Sequence, residues 1–389
     1  TAATPKHWPG GCSSTKPCLP LDVQPCTLHF AWQSGAERFA PAQEIRMMTA
    51  SGSTTALCGL LGCDYPVLLA GMGGVSRWEL AAAVANAGGF GMLGMVRESP
   101  ALITEEVTRL RAATDRPFAV NVIPAATEPA LLDAQIGCCL DLGVPAFTFF
   151  WDVVPEAVAR VKAAGRLVLH QVGTAEAARA AEAAGADVII AQGLEAGGHV
   201  HGRQPLRSLT QEVLDTVSVP VVASGGLSSG ADLAAYLAMG AAGIQCGTAF
   251  LATDESFAHR YHKDRVAAAT GADTVLTDVF VLNWPAGAAV RVLENSVTRA
   301  LGGAYTGHDP DALTREEIAW DGSQPRLRYS TDSPLRTTTG DLEAMALFAG
   351  QGAGAIRRIV PAAERIAGMV SAAEQILGRP LSPRSGATG

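Results

Sequence analysis

From Tyr65 onward the chain repeats one beat: a short aliphatic or β-branched run, a glycine-bearing or polar turn, then an alanine-rich stretch of helical spacing that closes on glycine. The runs are PVLLA (66–70), GFGML (89–93), PFAVNV (117–122), AFTFF (146–150), RLVLHQ (166–171), DVIIAQ (187–192), PVVAS (220–224) and AGIQC (242–246). Helices are predicted near 101–114, 128–142, 155–164, 174–184, 209–217 and 229–239. Another should follow Ser76, whose hydroxyl is spaced to cap it while Glu79 reaches back, and should close at Gly88-Gly89. Each run is apolar on both faces rather than alternating, as parallel strands covered by other layers are. Eight βα units in series predict a (β/α)₈ TIM barrel over an open doubly wound sheet. The GMGG at 71–74 is no dinucleotide fingerprint, because Ser76 stands where the third glycine would be.

The same pattern divides the chain. Residues 1–50 lack a sustained period and are expected to form an extension with little fixed structure. The adjacent Met47 and Met48 suggest that 1–47 is an upstream leader. Residues 51–253 are expected to form the barrel core. Residues 254–340, with a helical piece near 257–269 and polar, turn-rich sequence at 302–339, are expected to cover the barrel mouth as an insertion. Residues 341–389 should close the outside with helices near 341–349 and 355–377.

Composition narrows the function. With 389 residues and 48% hydrophobic content, a large single core is within reach. A formal net charge of −8 offers no basic field for nucleic acid. No window is long and apolar enough for a membrane span, since 233–251 is broken by Gly240, Gly243 and Gln245. A cytoplasmic location is the default that follows. The eight cysteines are irregularly spaced, and neither a disulfide framework nor zinc spacing emerges. Cys138, Cys139 and Cys246 read as small apolar residues of helix or strand interiors.

In a barrel, chemistry gathers where the strands end, because those loops converge on one opening. The strand ends here supply Gly71-Met72-Gly73-Gly74, Asn121, His170-Gln171, Gln192 with the stretch from Glu195 to Gly202, Ser224-Gly225-Gly226 and Gly247-Thr248. Bare backbone amides after strands seven and eight, with a helix beginning near Ser229, suit a ligand phosphate. Asn121, Gln171 and Gln192 suit the edge of a heteroaromatic ring. Spacing alone does not distinguish a flavin from a phosphosugar. Glu195 is spaced to orient its loop by accepting backbone N–H bonds, and Arg357 and Arg358 read as a solvated helix face.

The stretches YPVLLAGMGGVS, AVNV, LVLHQVGTAEAARAAEAAGADVIIAQGLEAGGHVHG, PVVASGGLSSGADLAAYLAMGAAGIQCGTAFLATDES and FAGQGAGAIRRIVPAAE resemble the nitronate monooxygenase (2-nitropropane dioxygenase-like) family over about residues 57–377. EAGGH is the most specific part. The resemblance implies an FMN-dependent barrel enzyme oxidising nitronates or nitroalkanes with dioxygen to carbonyl compounds and nitrite. It implies that Gly71, Met72 and Gly73 lie against the flavin, and that Asn121, Gln171 and Gln192 reach its ring or ribityl chain. It also implies that Gly197 and Gly198 let backbone approach the ring, and that Gly225, Gly226, Gly247 and Thr248 hold the phosphate. His199 matches the catalytic histidine, a base for the α-proton whose ordinary pKa near ~6.5 suits neutral pH. His201 and Phe348 would lie on the substrate side. The chain departs from the family at Gly71, where proline often precedes the methionine, and at Phe348, where tyrosine is common.

Two other readings stay open at this level. Flavin-dependent enoyl-ACP reductases share the barrel and several loops, so an FMN enzyme using NAD(P)H on an enoyl thioester is one. A non-catalytic flavin- or phosphosugar-binding barrel is the other. A small-molecule substrate, no nucleic-acid or membrane partner and no metal are expected in each case.

Overall fold

In the computed structural model, residues 56–381 are described. The expectations for the 1–50 extension and its leader therefore fall outside the described residues. Eight parallel strands form one sheet: β1 (Val67–Leu69), β2 (Gly91–Gly94), β3 (Phe118–Val122), β4 (Ala146–Phe150), β5 (Leu167–Val172), β6 (Val188–Gln192), β7 (Val221–Ser224) and β8 (Gly243–Cys246). Their spatial order is β1-β8-β7-β6-β5-β4-β3-β2. A parallel bridge from Leu68 to Phe90, with Leu69 N–H donating to Phe90 O at 3.0 Å, brings the two ends together. The fold is the TIM barrel that the eight beats predict.

The strands are buried on both faces, as the unbroken apolar runs require; all five residues of β6 and all five of β4 are buried. Phe147 and Phe149 are among the largest fully buried side chains, each worth roughly 1.5–3 kcal/mol of burial. The intervening helices start where proline sits in the first turn, at Pro100–Ala113, Pro129–Asp141 and Pro155–Ala163, where its missing N–H costs nothing. Ala175–Ala184 and Gly230–Met239 stop at Gly185 and Gly240, at φ 107° and 106°, conformations that glycine adopts without a Cβ penalty. Ala362–Leu377 packs against Trp78–Asn86 and Gly230–Met239 and completes the helical ring. Among the described residues, no helix is long and apolar enough to cross a membrane.

Several local expectations are corrected. Ser76 does not cap the first barrel helix, which runs Trp78–Asn86 with Arg77 at its N-cap. The Ser76 hydroxyl is taken by the backbone of Met72, accepting from its N–H at 2.8 Å. Glu106 replaces it as cap from the next helix, accepting the Trp78 N–H at 2.8 Å. The helix expected over 209–217 runs Leu206–Leu214, and Glu195 accepts its first N–H at 2.8 Å, the orienting role its spacing suggests. The 341–349 helix is only a 3₁₀ turn, Leu342–Ala344, and the last helix begins at Ala362 rather than 355. Arg357 and Arg358 are exposed, but they precede that helix instead of forming its face.

The polar sequence after β8 is more ordered than its composition suggests. Thr274–Thr277, Ala289–Leu293 and Gly198–Val200 form one antiparallel sheet, and Gln324–Leu327, Glu317–Asp321 and Thr338–Gly340 another. A second hydrophobic cluster, including Phe280, Val290, Val292 and Ile318, lies beneath them.

Candidate active site

A cavity of about 500 Å³ opens at the C-terminal ends of the strands, within the range of small-molecule and cofactor sites. Gly71, Met72, Gly73, Asn121, Gln171, Gln192, Gly197, Gly198, His199, Gly225, Gly226, Gly247, Thr248 and Phe348 all line it. His201 does not. Trp151, whose ring contacts both histidines, covers it, with the Trp151 and His201 centroids 4.5 Å apart.

The glycine loop after β1 is held by Ser76 and packed tightly. A Cβ on Gly71 would stand 2.3 Å from Asn121 Cβ, so that glycine is required by its neighbour. Asn121 Nδ2 donates to Thr148 O at 3.1 Å, and Gln171 Oε1 accepts from Gln245 Nε2 at 2.6 Å. Among the described residues, Asn121 Oδ1 and Gln171 Nε2 thus have no hydrogen-bond partner. Buried Thr148 Oγ1 and Gln245 Oε1 are also unpartnered. A buried polar group without a partner costs free energy that a ligand can recover.

Gln192 lines the cavity and also holds backbone. Both ends of its amide are committed to backbone, Nε2 donating to His199 O at 2.9 Å and Oε1 accepting from His201 N–H at 3.2 Å. It therefore fixes the histidine's strand. Gly197 lines the cavity and also lets two segments meet, because a Cβ there would stand 2.4 Å from Gly350 N. Gly198, at φ 72°, makes the turn into the short strand in which His199 pairs with Val290.

Packed against the loop after β6, Gly225 and Gly226 have φ of 123° and 71° in succession. Among the described residues, their amides and that of Gly247 donate to no protein acceptor. Consecutive amides of this kind form an anion-binding concavity. The helix at Gly230 does not contribute as expected. Asp232 Oδ2 takes the Ser228 and Ser229 N–H groups at 2.9 Å each, and the Ser229 hydroxyl accepts the Asp232 N–H.

His199 sits among aromatic rings, stacked on Trp284, with Phe348 5.8 Å away. Its Nε2 is buried without a partner. Loss of water around the ring, and the positive charge of Arg97, lower its pKa to about 3. The imidazole is neutral at physiological pH, lower in proton affinity than an ordinary histidine. Buried His170 is lowered to about 4 by the same loss of water and is not part of the cavity wall.

Sequence reasoning missed Arg97, Trp151, Gln245 and Trp284. Gln245 lies inside a recognised strand run, and its polarity there was the available signal. Arg97 and Trp151 hold positive φ, 57° and 82°, strain of about 1–3 kcal/mol each that tends to persist at functional sites. Nothing in their local sequence signals it.

A profile described as nitronate monooxygenase matches residues 54–135 and 128–372. A probable nitronate monooxygenase of Staphylococcus saprophyticus subsp. saprophyticus is 33% identical over 337 residues, covering 70% of this chain and 93% of that protein. Among solved structures, FabK from Thermotoga maritima aligns with TM-score 0.71 at 30% identity, covering 84% of this chain and 98% of that one. A nitroalkane oxidase from Streptomyces ansochromogenes aligns with TM-score 0.66 at 35% identity, covering 80% and 96%.

Proposed function

Because the chain belongs to the nitronate monooxygenase family of oxidoreductases, we propose that it binds FMN and oxidises alkyl nitronates with dioxygen, giving a carbonyl compound and nitrite. The observation that carries this reading is the position of His199. It lines the cavity that also holds open amide atoms and a bare-backbone anion cradle, and its Nε2 is buried without a hydrogen-bond partner.

The residues fit FMN end to end. Gly225, Gly226 and Gly247 would hold the phosphate through their amides, with Thr248 beside them. Asn121 Oδ1 and Gln171 Nε2 would meet polar atoms of the ring or ribityl chain, and Met72 would lie against the ring. When bound, FMN supplies the electron transfer between the organic substrate and dioxygen.

The chain's own part is position and proton control. Neutral His199 can accept the α-proton of a nitroalkane, but its lowered proton affinity means that it holds that proton only while negative charge remains beside it. A nitronate arrives already deprotonated. Nitronates are therefore the better substrates, and nitroalkanes the slower ones. Segment 254–340 would act as the cover of the cavity, since Asn283, Trp284 and Arg326 from it line the wall.

The likeness to FabK favours one second reading, a reductase that draws electrons from a reduced nicotinamide and acts on an enoyl thioester. The deciding experiment uses the purified yellow protein. Flavin released by denaturation should be FMN, and anaerobic NADPH should leave it oxidised; rapid bleaching by NADPH would favour the reductase.

A further inference from the structure

Four charged residues line the cavity: Arg97, Glu98, Arg326 and Asp332. Glu98 is paired with Arg77 at 3.0 Å. Arg326 is shared between Asp321 at 3.3 Å and Asp332 at 3.6 Å. Among the described residues, Arg97 has no carboxylate partner within 4.0 Å.

Its side chain is nonetheless held in place. The NH1 group donates to Asn283 O, and the guanidinium lies over the Trp284 ring, 5.9 Å from its centroid. Among the described residues, the remaining Nε and NH2 donors meet no protein acceptor. Trp284 adds a further donor, for its buried Nε1–H is also unpartnered. The main chain of Arg97 keeps the left-handed conformation to make this arrangement.

A fixed, uncompensated guanidinium with an open fork of donors is complementary to a planar anion presenting two oxygens. Going round the barrel from β2, which precedes Arg97, the glycine cradle after β7 is three strands away. Arg97 is thus separate from the proposed phosphate end. We propose that Arg97 recognises the substrate's planar two-oxygen anion, with Trp284 Nε1 as the accompanying donor. Nitronate and carboxylate share that chemistry. The inference names the binding group within the nitronate reading and rests on it for the substrate's identity.

The test is calorimetric titration of the FMN-loaded protein with sodium nitrate, a planar anion that does not react, against sodium chloride at equal ionic strength. Wild type should bind nitrate in a saturable way. Arg97→Gln should weaken that binding about 10–100-fold, the span that hydrogen bonds to a charged group are worth. Arg97→Lys, which keeps the charge but loses the fork, should fall between. In turnover, Arg97→Gln should raise KM for ethyl nitronate more than KM for neutral nitroethane.

Nitrate binding by wild type no stronger than chloride, or equal nitrate affinity in a folded Arg97→Gln protein, would overturn the assignment. Saturable, Arg97-dependent nitrate binding in a protein that releases no nitrite from any nitronate would uphold the anion site, with a carboxylate as its occupant, and defeat the proposed activity instead.

Discussion

The imidazole of His199 lies nearly parallel to the indole of Trp284, with ring centroids 3.4 Å apart and planes inclined by 19°. One residue comes from the loop after β6, the other from the segment beyond β8, so the candidate base is shielded by a part of the chain distant in sequence. Stacking keeps water from the ring, and that is the first cause of its low proton affinity.

Trp284→Ala should therefore return the His199 pKa upward, toward the ordinary value near ~6.5. Wild type, neutral down to about pH 3 at this residue, should show no histidine limb in nitroalkane turnover between pH 5 and 8. The variant should gain a limb, with the rate falling as pH drops and the imidazole protonates. Histidine NMR titration of both proteins checks it, and Trp284→Phe, which keeps a stacked ring, should leave the His199 pKa low as in wild type.

His199→Asn should retain FMN and its visible spectrum. Turnover of neutral nitroethane should drop by about 10²–10⁴-fold, the usual span of general-base catalysis. Turnover of ethyl nitronate should fall much less. Parallel steady-state assays on the two substrates read the difference.

His262 gives an acid-stability prediction. It is fully buried, bonded through Nε2 to Phe348 O at 3.0 Å and through Nδ1 to the Ser333 hydroxyl at 3.2 Å, and burial lowers it to about 4. The unfolded chain takes up its proton first, near ~6.5, so stability present at neutral pH is lost as pH falls from there toward 4. The contribution is on the order of 2–3 kcal/mol by pH 4. His262→Gln should make the decline shallower in urea melts across that range.

Gly197→Ala should lower stability before it touches chemistry. The new Cβ would meet the Gly350 backbone at 2.4 Å, and backbone cannot swing aside as a flexible side chain can. A loss of about 1–3 kcal/mol is expected. Thermal melts of the apo proteins would show it, and an unchanged Tm would mean that the two segments separate freely.

The barrel was legible because each strand is buried on both faces, which writes a continuous apolar run into the sequence. Most of the cavity wall was legible too, since βα turns of a barrel converge and Gly225, Gly226 and Asn121 sit at strand ends. Pairing across long separations was hidden. The strand carrying His199 is completed by Ala289–Leu293, and Arg97 meets Trp284 only through the folded insertion. Roles were harder than places: Gln192 and Gly197 line the cavity as expected, yet they serve the neighbouring backbone. Ser76 carried a valid capping signal that lost to the Met72 loop, because a buried glutamate from the next helix supplied the cap.

The most direct test is nitrite release from ethyl nitronate by the purified FMN-loaded protein in air, with no nicotinamide added, alongside oxygen uptake. The account predicts nitrite and acetaldehyde in equal amounts, with oxygen consumed. Absence of nitrite, together with NADPH-driven consumption of an enoyl thioester, would contradict it.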